Sequence, residues 1–323
     1  MTVQVAETDN DVTDDETLID GFAEDSRLRG LTHESIRGYK GNLRIISKYL
    51  NENGLALLDL DRNSLKKVLR YLTEKRGVSP QTVGDYLSAL SGLYKYLIWE
   101  GLAESNPIPP FRERYLRNYK NSRNHSASKR KLISVEEMAM LINSVLDPRD
   151  RAIITLLAKT GIRRRELIDI DLNDVNWIEQ SIELKPKAKR SNRTVFFDDE
   201  TAKVLKRWLR SRENSDVSPA CRALFVGYNG GRLMRHGVYR AVVKHAELVG
   251  LHNPKSKRMA DHFTLHCCRH WFTTHLRRNE MRREFIKELR GDTRGEAMDI
   301  YDHIDKKELK RAYLAAIPRL GIL

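Results

Sequence analysis

The stretch Thr160–Leu167, which reads Thr-Gly-Ile-Arg-Arg-Arg-Glu-Leu, marks a sharp junction between two helices. The helical pattern of Arg149–Lys159 stops at Gly161, the residue type that most often follows a helix end, and a second helical pattern begins at once. The turn fixes the position of Arg163, and Glu166, one helical turn later, can hold its guanidinium. A charge run of this kind is more often a solvated helix face than a site, so it needs support from elsewhere in the chain.

Around this junction, residues 132–323 predict a mostly helical domain with a small sheet. Ser134, followed by two acidic residues, is typical of a helix start, because the hydroxyl caps the backbone and the acids suit the helix dipole. Two short runs, Ser181–Leu184 and Arg193–Phe197, predict a hairpin whose tip is rich in lysine. Further helices are expected at Asp199–Arg212, His236–Val249, Leu265–Arg278, Arg282–Leu289, Gly295–Ile304 and Lys306–Ala316.

Residues 14–105 predict a separate all-α domain of four helices. The apolar residues of Thr32–Leu50 step by three and four, which places them on one helix face. Ser79 and Pro80 then give another long helix its cap and a proline at the first helical position. The chain as a whole is therefore predicted to be mainly α with a small β-sheet.

Two further segments differ in composition from these domains. Residues 1–13 are polar and acidic, and we expect a disordered tail there. Residues 106–131 begin with Asn-Pro-Ile-Pro-Pro and then carry eight Lys or Arg against Glu113 alone. This segment predicts a basic interdomain linker. It either crosses a DNA backbone, which the basic domains on both sides favour, or is simply solvated.

The charge of the chain points to a polyanionic partner. The net charge is +14 and the pI is about 9.6, while 40% apolar residues suffice for packed cores. Met1–Ser26 holds nine acids and no Lys or Arg, so the remainder is more basic still. Such a body is expected to attract nucleic acid, although a solvated, soluble surface explains the charge alone equally well.

Several other classes are excluded by the sequence. No apolar stretch approaches the roughly 20 residues that span a bilayer. The first residues have neither the basic nor the apolar region of a secretory signal. Cys221, Cys267 and Cys268 cannot form a disulfide framework and contain no Cys-x-x-Cys pair. We therefore expect a cytoplasmic protein without a membrane partner.

His266 and Arg269 lie at positions i and i+3, on one helix face. A guanidinium binds phosphate through two parallel hydrogen bonds, and an imidazole can move a proton near neutral pH. His262, His270 and His275 lie close by, so a buried structural histidine is the more ordinary explanation of any one of them. No carboxylate or thiolate falls at ligand spacing around them, so we expect no metal.

Tyr301 is one of 12 tyrosines and carries little information alone. Its phenol has an ordinary pKa near 10, so only about a thousandth is ionised at pH 7. Nearby guanidiniums would raise that fraction, and a phenolate is a competent nucleophile.

The order and spacing of these residues resemble those of the tyrosine recombinases, also called phage integrases. The resemblance covers nearly everything from about Asp15 to the C-terminus. Four segments carry it: Thr160–Leu167 (first arginine box), Lys187–Val195 (β-hairpin lysine), His266–Phe272 (His-x-x-Arg box) and Leu289–Asp292, nine positions before Tyr301. The sequence around Asp292 and Tyr301 is most similar to those of integrases of archaeal viruses and plasmids.

The resemblance implies the chemistry of the reaction. Arg163 and Arg269 would clamp the scissile phosphodiester and neutralise the charge that develops in the transition state. Tyr301 would attack the phosphorus, giving a 3′-phosphotyrosine and a free 5′-hydroxyl. No metal, ATP or other cofactor is implied, because the arginines supply positive charge and the covalent link conserves the energy of the phosphodiester.

The resemblance also implies which groups move protons. Lys189 would protonate the leaving 5′-oxygen, and His266 would assist proton transfer at the tyrosine. Lys189 is preferred to Lys187 because it lies four residues before Arg193, the commoner distance in the family.

Asp292 departs from the family, which usually has histidine or tryptophan at this position. Those side chains donate a hydrogen bond to the phosphate, whereas an ionised carboxylate only accepts. We therefore predict that Asp292 is turned towards Arg163 or Arg269 and orients them.

The partners implied are double-stranded DNA with specific recombination sites, further copies of the chain in a tetramer on two sites, and accessory DNA-bending or directionality proteins. The N-terminal domain resembles the family's core-binding domain, and the last helix docks either on a neighbour or on its own domain. Two alternatives remain: a type IB topoisomerase-like enzyme, and a recombinase-derived DNA-binding protein without catalytic activity, which only Asp292 favours.

Overall fold

The computed structural model describes residues 14–121, 132–186, 194–256, 258–292 and 304–322. The chain divides into two units, residues 1–127 and 128–323. Within the described residues, no helix is long and apolar enough to cross a membrane. The first unit contains α1 (Asp15–Leu28), α2 (His33–Asn51), α3 (Arg62–Arg70), α4 (Pro80–Trp99) and α5 (Ile108–Asn121).

Side-chain caps and apolar faces explain the two long helices of this unit. The hydroxyl of Thr32 accepts a hydrogen bond from the backbone N–H of Ser35 at 3.2 Å and begins α2. Ser79 caps α4 in the same way, with Pro80 at the first position. Leu43, together with leucines of α4, is fully buried in the common core, and each such side chain contributes about 1.5–3 kcal/mol through the water it excludes.

Helix α5 corrects part of the predicted linker, residues 106–131. Ile108, Phe111 and Leu116 are buried in the core of the first unit, so residues 108–121 belong to that unit. Pro109 and Pro110 lie in the first turn of this helix, where a missing N–H costs nothing. The rest of the predicted linker, residues 122–131, and the predicted tail, residues 1–13, lie outside the described residues.

The second unit is mostly helical, as predicted, with a small antiparallel sheet. Its helices are α6 (Val135–Ser144), α7 (Pro148–Thr160), α8 (Arg164–Asp169), α9 (Asp199–Glu213), α10 (Arg235–Leu248), α11 (Leu265–Arg278), α12 (Arg283–Arg290) and α13 (Lys306–Ala316). The strands are β1 (Val175–Asn176), β2 (Ser181–Glu183) and β3 (Thr194–Phe196), in the order β1-β2-β3.

The predicted hairpin corresponds to β2 and β3, with Ile182 opposite Val195. The pattern did not predict β1, which is only two residues long and pairs Val175 with Ile182. The predicted helix Gly295–Ile304 falls outside the described residues except at Ile304, which is not helical.

Helix α7 forms the centre of the second unit. Residues on all its sides are buried, including Ile153, Ile154, Leu156 and Leu157, which is the pattern of a helix surrounded by others. It packs against α9, α10 and α11. Because the site residues follow α7 and lie on α11, this core sets their relative positions.

The last helix packs on its own unit, which is one of the two arrangements that the sequence left open. Tyr313 on α13 is fully buried and donates a hydrogen bond to the carbonyl oxygen of Lys159, at 2.9 Å. The buried ammonium of Lys159 lies 2.5 Å from a carboxylate oxygen of Asp198, 2.6 Å from one of Glu200 and 2.7 Å from the carbonyl oxygen of Pro318. A buried charge needs such partners, and here they attach the C-terminus to the end of α7.

Candidate active site

Arg163 lies at the turn between α7 and α8. Helix α7 ends at Gly161, whose φ of +61° is the left-handed conformation that glycine adopts without strain. The Glu166 carboxylate accepts from the backbone N–H of Arg163 at 2.7 Å and from its guanidinium at 3.1 Å. Glu166 thus closes the first turn of α8 and orients the arginine side chain, which remains 40% exposed.

Arg269 approaches the same turn from α11. Its Nη1 donates to the carbonyl oxygen of Gly161 at 2.7 Å, and its Nη2 donates to the carbonyl oxygen of Arg290 at 2.9 Å. Burial, together with the positive charges of Arg163 and Arg290, lowers the pKa of Arg269 to about 10. The guanidinium nevertheless stays charged at neutral pH, and its position is fixed by backbone groups of two different segments.

Asp292 lies between the two arginines. Its Oδ1 is 3.1 Å from Nη2 of Arg269 and 3.6 Å from Nη2 of Arg163. Helix α12 ends at Gly291, which has a φ of +59°, so the chain turns immediately before Asp292. The carboxylate is therefore directed at both guanidiniums, the geometry expected of a group that orients them.

His266 lies on α11, one helical turn before Arg269, and is exposed. Its ring stands perpendicular to that of His270, with the ring centroids 4.5 Å apart. His275 is buried and bonds the carbonyl oxygen of Ile133 at 3.0 Å, as a structural histidine does. Within the described residues, no group of three or more His, Cys, Asp or Glu side chains is arranged to hold a metal ion.

The structure brings together Arg163, Arg269 and Asp292, with His266 on the same helix as Arg269. Lys189 and Tyr301 lie outside the described residues, so their positions in the site stay predictions. The sequence interpretation missed Arg290, whose carbonyl oxygen accepts from Arg269 and whose Nε lies 3.2 Å from Oδ2 of Asp292. Its only signal was its place directly before the Gly-Asp pair.

Comparison with known proteins identifies the family. Residues 132–308 match the family model described as the phage integrase family, and residues 19–101 match that of the phage integrase N-terminal SAM-like domain. The chain belongs to the phage integrase family. The predicted family and fold class are thereby confirmed, and this phage integrase family member is a site-specific recombinase of the tyrosine type.

Two relatives align with this chain along most of their length. The tyrosine recombinase XerC of Vibrio cholerae is 28% identical over 299 residues, which cover 90% of this chain and 89% of that protein. The tyrosine recombinase XerD of Staphylococcus haemolyticus is 24% identical over 316 residues, which cover 94% of this chain and 99% of that protein.

Solved structures show the same fold at low identity. The XerH site-specific recombinase, in a pre-cleavage complex with difH substrate, has a TM-score of 0.63 and 22% identity, covering 94% of this chain and 85% of that one. The Tn1549 transposon integrase, in complex with transposon right end DNA, has a TM-score of 0.65 and 17% identity, covering 92% of this chain and 98% of that one.

Proposed function

We propose that this enzyme cleaves and rejoins double-stranded DNA at specific sites through a 3′-phosphotyrosine intermediate, without metal or ATP. One observation carries the proposal: the guanidiniums of Arg163 and Arg269, far apart in sequence, converge on one carboxylate. An arrangement that holds a carboxylate between two forked donors also suits a phosphodiester, which has the same charge and similar oxygen acceptors.

Arg163 and Arg269 bind the non-bridging oxygens of the scissile phosphate. Both are already oriented before DNA arrives, Arg163 by Glu166 and Arg269 by the carbonyl oxygen of Gly161. Preorganised donors stabilise the charge that develops on phosphorus without having to rearrange during the reaction. Removal of one preorganised donor from an oxyanion hole costs about 100- to 1000-fold in rate, and a loss of that order is expected for each arginine.

The covalent step exchanges one phosphorus–oxygen bond for another. The phenolic oxygen of Tyr301 forms a bond to phosphorus as the bond to the 5′-oxygen breaks. The phenolic proton passes towards His266, and Lys189 gives a proton to the departing 5′-oxygen. Attack by a 5′-hydroxyl on the phosphotyrosine reverses the bond exchange and both proton transfers, and it rejoins the strand. The energy of the phosphodiester is conserved in the covalent link, so no ATP is needed.

Asp292 acts as a positioning residue in this scheme. The ionised carboxylate of Asp292 only accepts hydrogen bonds, so it cannot donate one to the phosphate. Its negative charge would also repel the phosphate at close range. Its contacts with Arg269 and Arg163 hold the two guanidiniums together against their mutual repulsion.

The DNA partner is supported by charge and by relatives. The chain has a net charge of +14, and phosphate contacts by such a protein make affinity fall steeply with salt. The solved structures of XerH and of the Tn1549 integrase are complexes with DNA. In this proposal four copies of the chain act together on two DNA sites. Accessory DNA-bending or directionality proteins assist them.

Recombination between two fragments of the replicon that carries the gene tests this function. The reaction contains EDTA and no ATP, and its products are sequenced across the junction. Recombinant molecules with one defined junction support the proposal. Relaxation of a site-free plasmid by the monomer would indicate the topoisomerase-like enzyme instead, and salt-sensitive binding with unchanged DNA would indicate the inactive DNA-binding protein.

A further inference from the structure

A third guanidinium faces the carboxylate of Asp292. The Nε of Arg290 lies 3.2 Å from Oδ2, while Oδ1 contacts Arg269 at 3.1 Å and approaches Arg163 at 3.6 Å. Three arginine side chains therefore surround one acidic group. The pKa of Arg269 is lowered by burial first, then by the positive charge of Arg163 and then by that of Arg290.

Arg290 also changes the net charge of the described cluster. The described groups are three guanidiniums and two carboxylates, those of Glu166 and Asp292. They give one net positive charge, which matches the single negative charge of a phosphodiester. Arg290 adds one positive charge to this described set, and the transition state of phosphoryl transfer demands more positive charge from its surroundings than the ground state does.

Exposure shows which arginines a DNA strand can reach. The side chain of Arg269 is only 9% exposed, whereas those of Arg163 and Arg290 are 40% and 34% exposed. Asp292 is 32% exposed as well, but a carboxylate has no hydrogen to donate. Of these four described side chains, the three arginines can therefore donate a hydrogen bond to a phosphate oxygen.

We propose that Arg290 is a further catalytic residue, whose guanidinium donates to a non-bridging oxygen of the scissile phosphate beside Arg163 and Arg269. It supplies the hydrogen bond that the residue at position 292 cannot give. Arg290 only donates a hydrogen bond, so the bonds made and broken are those of the tyrosine exchange. This inference rests on the proposed function, because it concerns the same phosphate.

Single-turnover formation of the covalent protein–DNA adduct tests the inference, on the fragment recombined above. The variants are Arg290→Gln and Arg290→Lys, and the matched control is Arg283→Gln, an exposed arginine at the start of the same helix. Each is assayed on the normal phosphodiester and on a methylphosphonate at the scissile position, which lacks the negative charge of one non-bridging oxygen. DNA affinity and thermal unfolding are measured for every variant.

We expect Arg290→Gln to slow adduct formation about 10- to 100-fold on the phosphodiester, with DNA affinity equal to that of the control. Arg290→Lys should recover part of the rate. The defect of Arg290→Gln should shrink on the methylphosphonate, an effect that a merely structural role would not produce.

Other results would overturn the inference. If Arg290→Gln reacts at the rate of Arg283→Gln, the residue does not contact the phosphate. If the double variant Arg290→Gln/Asp292→Asn regains the wild-type rate, Arg290 only offsets the charge of Asp292. Failure of the wild-type protein to form any adduct would instead reject the proposed function itself.

Discussion

The carbonyl oxygen of Gly161 accepts a hydrogen bond from Nη1 of Arg269 at 2.7 Å. This bond joins the turn that precedes Arg163 to the helix that carries His266. One arginine of the candidate site is thus fixed by the turn that places the other, and disturbance of the turn should affect both.

Gly161→Ala should therefore impair cleavage as well as stability. A Cβ at this position would lie 2.4 Å from Cδ1 of Phe272, and the φ of +61° is unfavourable for alanine. Backbone strain costs about 1–3 kcal/mol, and overpacking of a core adds a similar amount. Gly250→Ala is the control, because Gly250 also has a positive φ but no atom within 4 Å of the added carbon. If the two variants lose the same unfolding free energy, the predicted clash between the added carbon at position 161 and Phe272 does not occur.

Arg269→Ala and Asp292→His should differ strongly in cleavage. Loss of Arg269 would remove one of the two proposed phosphate donors, and we expect adduct formation to fall about 100- to 1000-fold or more. Asp292→His removes only a positioning group and introduces a donor, so measurable activity should remain. Rates of adduct formation on one DNA fragment provide the comparison. The reverse ranking would show that Asp292 takes a direct part in the reaction.

Glu200→Gln should loosen the C-terminal segment in a pH-dependent way. Burial alone would raise the pKa of Glu200, but hydrogen bonds from Lys159 and the backbone N–H groups of Leu320 and Ile322 outweigh it, and the pKa is lowered. Because the pKa of Glu200 is lower in the folded state, its ionised form stabilises the protein at pH values above the ordinary pKa of about 4.5. This stabilisation is lost as the pH falls through the folded-state pKa.

The difference in unfolding free energy between wild type and Glu200→Gln should be about 1–3 kcal/mol at pH 7 and should shrink below pH 4.5. Glu179→Gln, which breaks an exposed pair with Lys310, should change stability little at either pH. A difference that is constant from pH 7 to pH 3.5 would show that the charge of Glu200 does not hold the tail.

Phe111→Ala tests whether α5 is part of the first unit. Phe111 is 4% exposed, so its truncation should cost about 3–5 kcal/mol of unfolding free energy. Arg114→Ala, on the exposed side of the same helix, should be nearly neutral. The full chain is unfolded with denaturant and the transition of the first unit is monitored. This measurement gives the change in unfolding free energy for each variant. If Phe111→Ala loses no more unfolding free energy than Arg114→Ala, residues 108–121 behave as a linker and not as part of the first unit.

The sequence predicted best what is encoded locally. Helix α2 follows from its apolar spacing and Thr32, and α4 from Ser79 and Pro80. Helix α5 was missed because proline ends one helix and begins another equally well, and only packing of Phe111 decides between them.

The site was predictable where side chains carry the chemistry. The resemblance to the tyrosine recombinases predicted that Arg163, Arg269 and Asp292 lie in one cluster, and the structure brings the three side chains together. The carbonyl oxygens of Gly161 and Arg290 were not predictable, because any residue type supplies the same acceptor. The attachment of the C-terminus depends on Lys159 and Glu200, which lie 41 residues apart and meet only in the fold.

Mapping the covalent adduct tests the central claim most directly. The protein is mixed in EDTA with labelled fragments of its replicon and denatured, and the peptide joined to DNA is identified by mass spectrometry. We predict attachment at Tyr301 through a 3′-phosphate, with no adduct in Tyr301→Phe. An adduct on another residue, or an adduct that persists in Tyr301→Phe, would contradict the account.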